Sequence, residues 1–141
     1  MYSHSHAGHI GGAFFSFSSF GSLKIDTFIG HNETAERFAA VQDYQHQPYP
    51  TVTFSDLYTL NMCNQTLQLD YLGLNHEPGN IVTYAPYQKV FTPVDIICPD
   101  WSPYDRLGEV ENLPGLIKAH DQNLPYDYDH FVSGHLNRSG T

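Results

Sequence analysis

"YSHSHAGHIGG", residues 2–12, sets histidines at positions 4, 6 and 9 and follows them with a glycine pair. On an extended backbone the side chains of an H-x-H pair fall on the same side, so His4 and His6 are placed to chelate one ion. His9 stands far enough along to turn toward a neighbouring ion. A solvent-exposed histidine cluster near a terminus has the same spelling, so the stretch takes its meaning from what the rest of the chain sets beside it.

The chain has 141 residues, enough for one domain around one core. Hydrophobic residues make up 40%, mean hydropathy is -0.38, and no apolar run approaches the roughly 18 residues of a membrane span. No basic segment followed by an apolar one opens the chain, so no secretory leader is expected. The sequons at Asn32, Asn64 and Asn137 are accordingly read as chance. Net charge is -9, with only six Lys and Arg. Phosphate contacts need cations, so nucleic acid and acidic membranes are excluded as partners. Cys63 and Cys98 lack C-x-x-C spacing and make no disulfide framework; buried free thiols are expected. Nine histidines against six Lys and Arg direct attention to metal ligands.

The elements alternate along the chain. "LKIDTFIGH" reads as a strand near Ile25–Ile29. "HNETAERFAAVQDY" reads as a helix with Asn32 as its cap, Glu33 and Glu36 at its positive end and Ala35, Phe38 and Ala39 on one face. "TVTF" is a strand at Thr51–Phe54. "YTLNMCNQTLQLDYLG" alternates on both sides of Cys63-Asn64 and reads as a hairpin, with Leu67, Leu69 and Tyr71 on one face. "IVTYAPYQKVFTPVDII" reads as a second hairpin turning near Ala85-Pro86, although Pro93 cannot donate to a ladder. "NLPGLIKAHDQNL" is a helix with Pro114 in its first turn, and Phe131-Val132 is a last short strand. The mixture predicts an α/β or α+β layered domain over residues 1–141.

Three more ligand-type residues stand at strand ends, where active-site loops gather: His76 in "GLNHEPGN", Asp95 in "VFTPVDII" and His135 in "FVSGHLNRSG". Taken in order, the four stretches resemble the metal motifs of the metallo-β-lactamase fold hydrolases, whose first motif is H-x-H-x-D-H followed by a Gly pair. "IGHNETAERFAA", "PTVTF", "TLQLDYLG" and "IKAHDQ" extend the resemblance to an uncharacterised branch of that superfamily, and with them it covers nearly the whole chain.

The resemblance implies an αββα sandwich and a metal centre. His4, His6 and His76 would hold one ion, His9 and His135 a second, and Asp95 would bridge the two as the residue that carries catalysis. Zinc is the ion implied for imidazole with carboxylate, with iron and manganese as substitutes. A water activated there would attack an ester, amide, thioester or sulfate-type bond.

The chain departs from the pattern at Gly8, where the family has a second-metal aspartate. A weaker second site, or a single-metal form, follows. Glu77 is expected to point away from the site, and Asp100 lies in an unconstrained loop. The fold typically needs roughly 200 residues or more, and its histidine loop hangs from a buried strand. The chain is therefore expected to be the second part of a sandwich, truncated at both ends. An exposed apolar face, a self-associating sheet edge and a poorly anchored His4–His6 loop would follow. A bulge at Pro93 would misplace Asp95. Phe14, Phe15, Phe17 and Phe20 are assigned to packing, as are Trp101 and Tyr104 unless they line a pocket. His31 and His120 are read as structural, and His46 and His130 stand in no motif. Three functions compete: a metal-dependent hydrolase, an impaired remnant binding one ion or none, and a histidine-rich binding module.

Overall fold

Two histidine-bearing turns are carried by a ladder of strands. The computed structural model describes residues 1–13, 27–43, 47–99, 107–135 and 139–140. The elements are α1 (Ala7–Ile10), β1 (Ile29–His31), α2 (Asn32–Val41), β2 (Val52–Phe54), β3 (Leu57–Met62), β4 (Gln65–Tyr71), β5 (Ile81–Ala85) and β6 (Val90–Thr92), then a 3-10 turn (Leu107–Glu109), α3 (Leu113–Asn123), β7 (His130–Val132) and β8 (Ser139–Gly140). β1 and β2 pair in parallel as one sheet. The second sheet runs β3-β4-β5-β6-β7-β8, antiparallel except where β7 pairs in parallel with β6.

Strand alternation sorts the core into layers. Ile81 and Val82 are consecutive on β5 and therefore face opposite sides of the sheet. Ile81 packs with Leu69 of β4, Ile29 of β1 and Phe54 of β2, which fills the space between the sheets. Val82 packs with Phe91 of β6 and with Leu116 and Ala119 of α3, which covers the other face. Phe38 of α2 packs with Tyr2, Ile10 and Phe28, and α2 lies against β1 and β2. The order is helix, sheet, sheet, helix, as expected of an αββα sandwich. No helix among the described residues is long and apolar enough to cross a membrane.

Several boundaries move. Among the described residues the first strand is Ile29–His31, and Thr27 and Phe28 of the expected Ile25–Ile29 strand precede it; residues 14–26, with Phe14, Phe15, Phe17, Phe20 and Ile25, lie outside the described residues, as do His46, Asp100, Trp101, Tyr104 and Asn137. His31, not Asn32, caps α2: its Nδ1 accepts the Glu33 backbone N–H at 3.2 Å, while its Nε2 reaches the Ser55 carbonyl at 2.8 Å. An imidazole can cap here because one ring nitrogen serves as acceptor while the other is the donor. The helix stops at Val41, and Gln42 turns into the left-handed region. The second hairpin's return arm ends at Thr92 and does not run on to Ile97. Pro93 therefore bulges no strand: its carbonyl accepts the Ile96 and Ile97 amides at 3.1 and 3.3 Å, making a turn. Asp95 sits in that turn at φ 60°, three residues past the strand. Cys63 is exposed at the β3–β4 turn and Cys98 is half-buried, so neither is the buried thiol expected.

Candidate metal centre

The histidine segment is anchored on both sides. The Tyr2 amide donates to the Ile29 carbonyl at 2.8 Å and the Ile81 amide to the Ser3 carbonyl at 2.9 Å, so residues 2 and 3 run extended between β1 and β5. The loose loop expected from sequence is thus held by backbone bonds. Helix α1 starts immediately after His6 and carries His9 in its single turn.

Three turns bring the other candidates to this segment. His76 lies in the loop between β4 and β5, Asp95 in the turn after β6 and His135 in the turn after β7. These are neighbouring strands of one sheet, so the turns converge at one end. His4 Nε2, His9 Nε2 and His76 Nε2 lie 3.3, 3.1 and 3.4 Å from Asp95 Oδ2, and His135 Nε2 lies 3.1 Å from Oδ1. His6 Nδ1 is 3.1 Å from His76 Nε2. All six candidate residues are brought together, in two groups whose ligand atoms lie within 4.8 Å of one another: His4, His6, His76 and Asp95, and His9, Asp95 and His135. The carboxylate belongs to both.

Burial sets the protonation of the inner group. It pushes the His76 imidazole down to about 4, against the pull of Asp95. It also lowers His4, with contact to Asp95 working the other way and the charge of His9 adding to the fall. Burial would raise the Asp95 carboxyl, but close contact with His4 and His9 and their charge outweigh it and hold the group well below the usual carboxylate range. At neutral pH His4 and His76 therefore offer neutral imidazoles to one anion, the protonation state that ligation requires.

A cation fits this donor set. Buried polar atoms almost always find a hydrogen-bond partner, yet His4 Nε2 and Asp95 Oδ1, both buried, have none among the described residues. Both are among the atoms that converge. Access is available from a cavity of about 380 Å³ lined by His6, Ala7, Gly8, His9, Glu109 and His135. The His135 and His6 side chains are 43% and 35% exposed against 0% for His4, so each group has a member on the solvent side while His4 is sealed off.

Supporting residues emerge that composition and spacing did not single out. Asn75 accepts the His76 amide at 2.6 Å on its Oδ1, which also accepts from Asn80 Nδ2 at 2.9 Å; Asn80 Nδ2 reaches on to the Val94 carbonyl at 3.2 Å. The His76 loop and the Asp95 turn are tied together by this buried pair. Gly134 is required by close approach: a Cβ there would lie 2.6 Å from Asp95 Oδ1 and 2.9 Å from His9 Cε1. Glu77 was expected to point away from the site. It is fully buried and reaches back to Ser5 and His6. The sequence placed it beside His76 but carried no signal of its direction. His31 and His120 are structural as expected, His120 Nδ1 reaching the Leu116 carbonyl at 2.8 Å, and His130 is exposed on β7.

No family model and no curated protein matches the chain. Solved structures do. The metallo-beta-lactamase from Pontibacter korlensis aligns with 99% of this chain at a TM-score of 0.74 and 22% identity, and 61% of that chain is covered. The metallo-beta-lactamases IND-7 and DIM-1 each align at a TM-score of 0.72 over the same shares, at 16% and 14% identity. The chain has the metallo-β-lactamase fold and spans about three-fifths of the length of these structures.

Proposed function

We propose that this chain is a metal-dependent hydrolase of the metallo-β-lactamase type, acting on an ester, amide, thioester or similar bond of a small molecule. The observation that carries the reading is the convergence of five imidazoles on the one carboxylate of Asp95, with His4 Nε2 and Asp95 Oδ1 buried and lacking hydrogen-bond partners among the described residues. His4, His6 and His76 would hold one cation, His9 and His135 a second, and Asp95 both. Zinc suits this imidazole and carboxylate set, with iron or manganese as substitutes. A cation held there supplies Lewis acidity and brings the pKa of a water on it to about 7. The chain's own contribution is to exclude water from His4 and His76, to keep those rings neutral, and to hold the Asp95 carboxylate ionised between the two groups. The open side at His135 admits the substrate.

Gly8 favours a second reading, in which hydrolysis is impaired and one ion or none is bound. It lines the cavity where the second group opens and offers no side chain to it. A panel of ester, lactam and thioester substrates, assayed on the zinc-loaded chain beside the chelated chain and a His4→Ala/His6→Ala variant, separates the two. Hydrolysis that disappears in both controls supports the hydrolase. Turnover no faster than the controls supports the impaired reading.

A further inference from the structure

We propose that Glu77 is the positioning residue of the first histidine group, holding the His4–His6 segment in place and deciding which ring nitrogen of His6 faces the centre. The inference rests on the reading that His4, His6 and His76 take a cation, and it concerns a residue outside that ligand set.

A carboxylate removed from water costs several kcal/mol unless it is paired and hydrogen-bonded. Glu77 is fully buried, and its partners come from two other parts of the chain. The Ser5 backbone amide donates to Oε1, and the Ser5 hydroxyl donates to Oε2 at 3.1 Å. His6 Nε2 stands 3.3 Å from Oε2, and Arg37 Nη1 of α2 stands 3.7 Å from the same oxygen. Arg37 is itself held by Glu111. Glu77 thus fixes the backbone between His4 and His6, and its charge is met by an arginine on a neighbouring helix.

The two nitrogens of His6 then have different duties. Nε2 faces an acceptor that can only receive a proton, so the ring carries its proton there. Nδ1, 3.1 Å from His76 Nε2, keeps its lone pair toward the centre. A carboxylate behind a ligating imidazole fixes tautomer and ring orientation in this way and raises the basicity of the nitrogen that ligates. His4 is arranged oppositely, with Nδ1 3.1 Å from the Ser3 hydroxyl and Nε2 turned to Asp95. Glu77 and Asp95 therefore divide the work: Asp95 faces the ligand atoms, and Glu77 sits behind one ring.

Two measurements test this. The first is a long-range proton–nitrogen correlation spectrum of the histidine rings in the metal-free wild-type chain, at about pH 8 so that rings of ordinary pKa are neutral. The expected result is a His6 ring protonated on Nε2. A ring protonated on Nδ1 would overturn the proposal without any variant having to fold. The second is a cobalt(II) titration of the wild type and of Glu77→Gln, read by the visible absorption of the ion. Affinity for the first equivalent is expected to fall about 10–100-fold in the variant. Equal affinities, in a variant whose circular dichroism matches the wild type, would also overturn it. A wild type that takes no cobalt would sink the metal reading, and the ring spectrum would still decide the role of Glu77.

Discussion

His9 and His135, 126 positions apart in sequence, bring their Nε2 atoms to 3.3 Å of each other, each 3.1 Å from a different oxygen of Asp95. The same carboxylate also meets His4 and His76, on the oxygen that faces His9. It follows that the two histidine groups are not independent. Asp95→Asn, which keeps the shape and removes the charge, is expected to weaken both together, by on the order of 10–100-fold at each if its loss costs at least what an outer partner's does. Isothermal titration with zinc would read this; loss at one group alone would separate the groups.

Gly8 is the position where a carboxylate is missing and could be restored. A Cβ at Gly8 meets nothing within 4 Å, and the residue lines the same cavity as His9 and His135. Gly8→Asp is therefore expected to fold normally and to tighten the second equivalent of metal, with hydrolysis rising beside it. Metal content and hydrolysis both unchanged would mean that the absent aspartate is not what limits the site.

Gly134 makes the opposite case. Its missing Cβ is what lets the β7 turn approach Asp95 and His9. Gly134→Ala is expected to push the second group apart while leaving His4, His6 and His76 in place. Titration should show one equivalent lost and one retained, with the fold intact by circular dichroism. Two equivalents bound as in the wild type would contradict the close approach.

Tyr71 and Tyr126, like Tyr2, carry hydroxyls whose ionisation folding opposes. Burial, then the Glu33 carboxylate, raises the Tyr71 hydroxyl above its usual value; burial, then Asp70, does the same for Tyr126. Both hydroxyls donate to those carboxylates. A group whose pKa is raised by folding contributes stability below its unfolded pKa, about 10 for tyrosine, and loses it as pH climbs above that. The urea midpoint is expected to fall between about pH 10 and 12, and less steeply in Tyr126→Phe. A midpoint flat across that window would contradict the buried pairs.

Much of this was legible in the sequence because it is written locally. Alternation about Cys63-Asn64 marks β3 and β4, and Asn112 followed by Pro114 marks the start of α3, where Asn112 Oδ1 accepts the Gly115 amide at 2.8 Å. The six candidate ligands stood out because their motifs occur in order. What was not legible depends on direction and on distant partners. Pro93 reads as a defect in a strand until its carbonyl is seen closing the turn that presents Asp95. Asn32 has the better capping composition, but His31 wins because Ser55, far along the chain, fixes its ring. Glu77 reads as pointing away from the site, since nothing nearby announces Ser5 or Arg37 as its partners.

The central claim is that His4, His6, His9, His76, Asp95 and His135 form one cation centre. Elemental mass spectrometry of the purified chain for zinc, iron and manganese, beside the His4→Ala/His6→Ala variant, tests it most directly. The account predicts about one or two equivalents of metal in the wild type, as zinc for this donor set, and their loss in the variant. No stoichiometric metal in the wild type, or the same content in both, would contradict it.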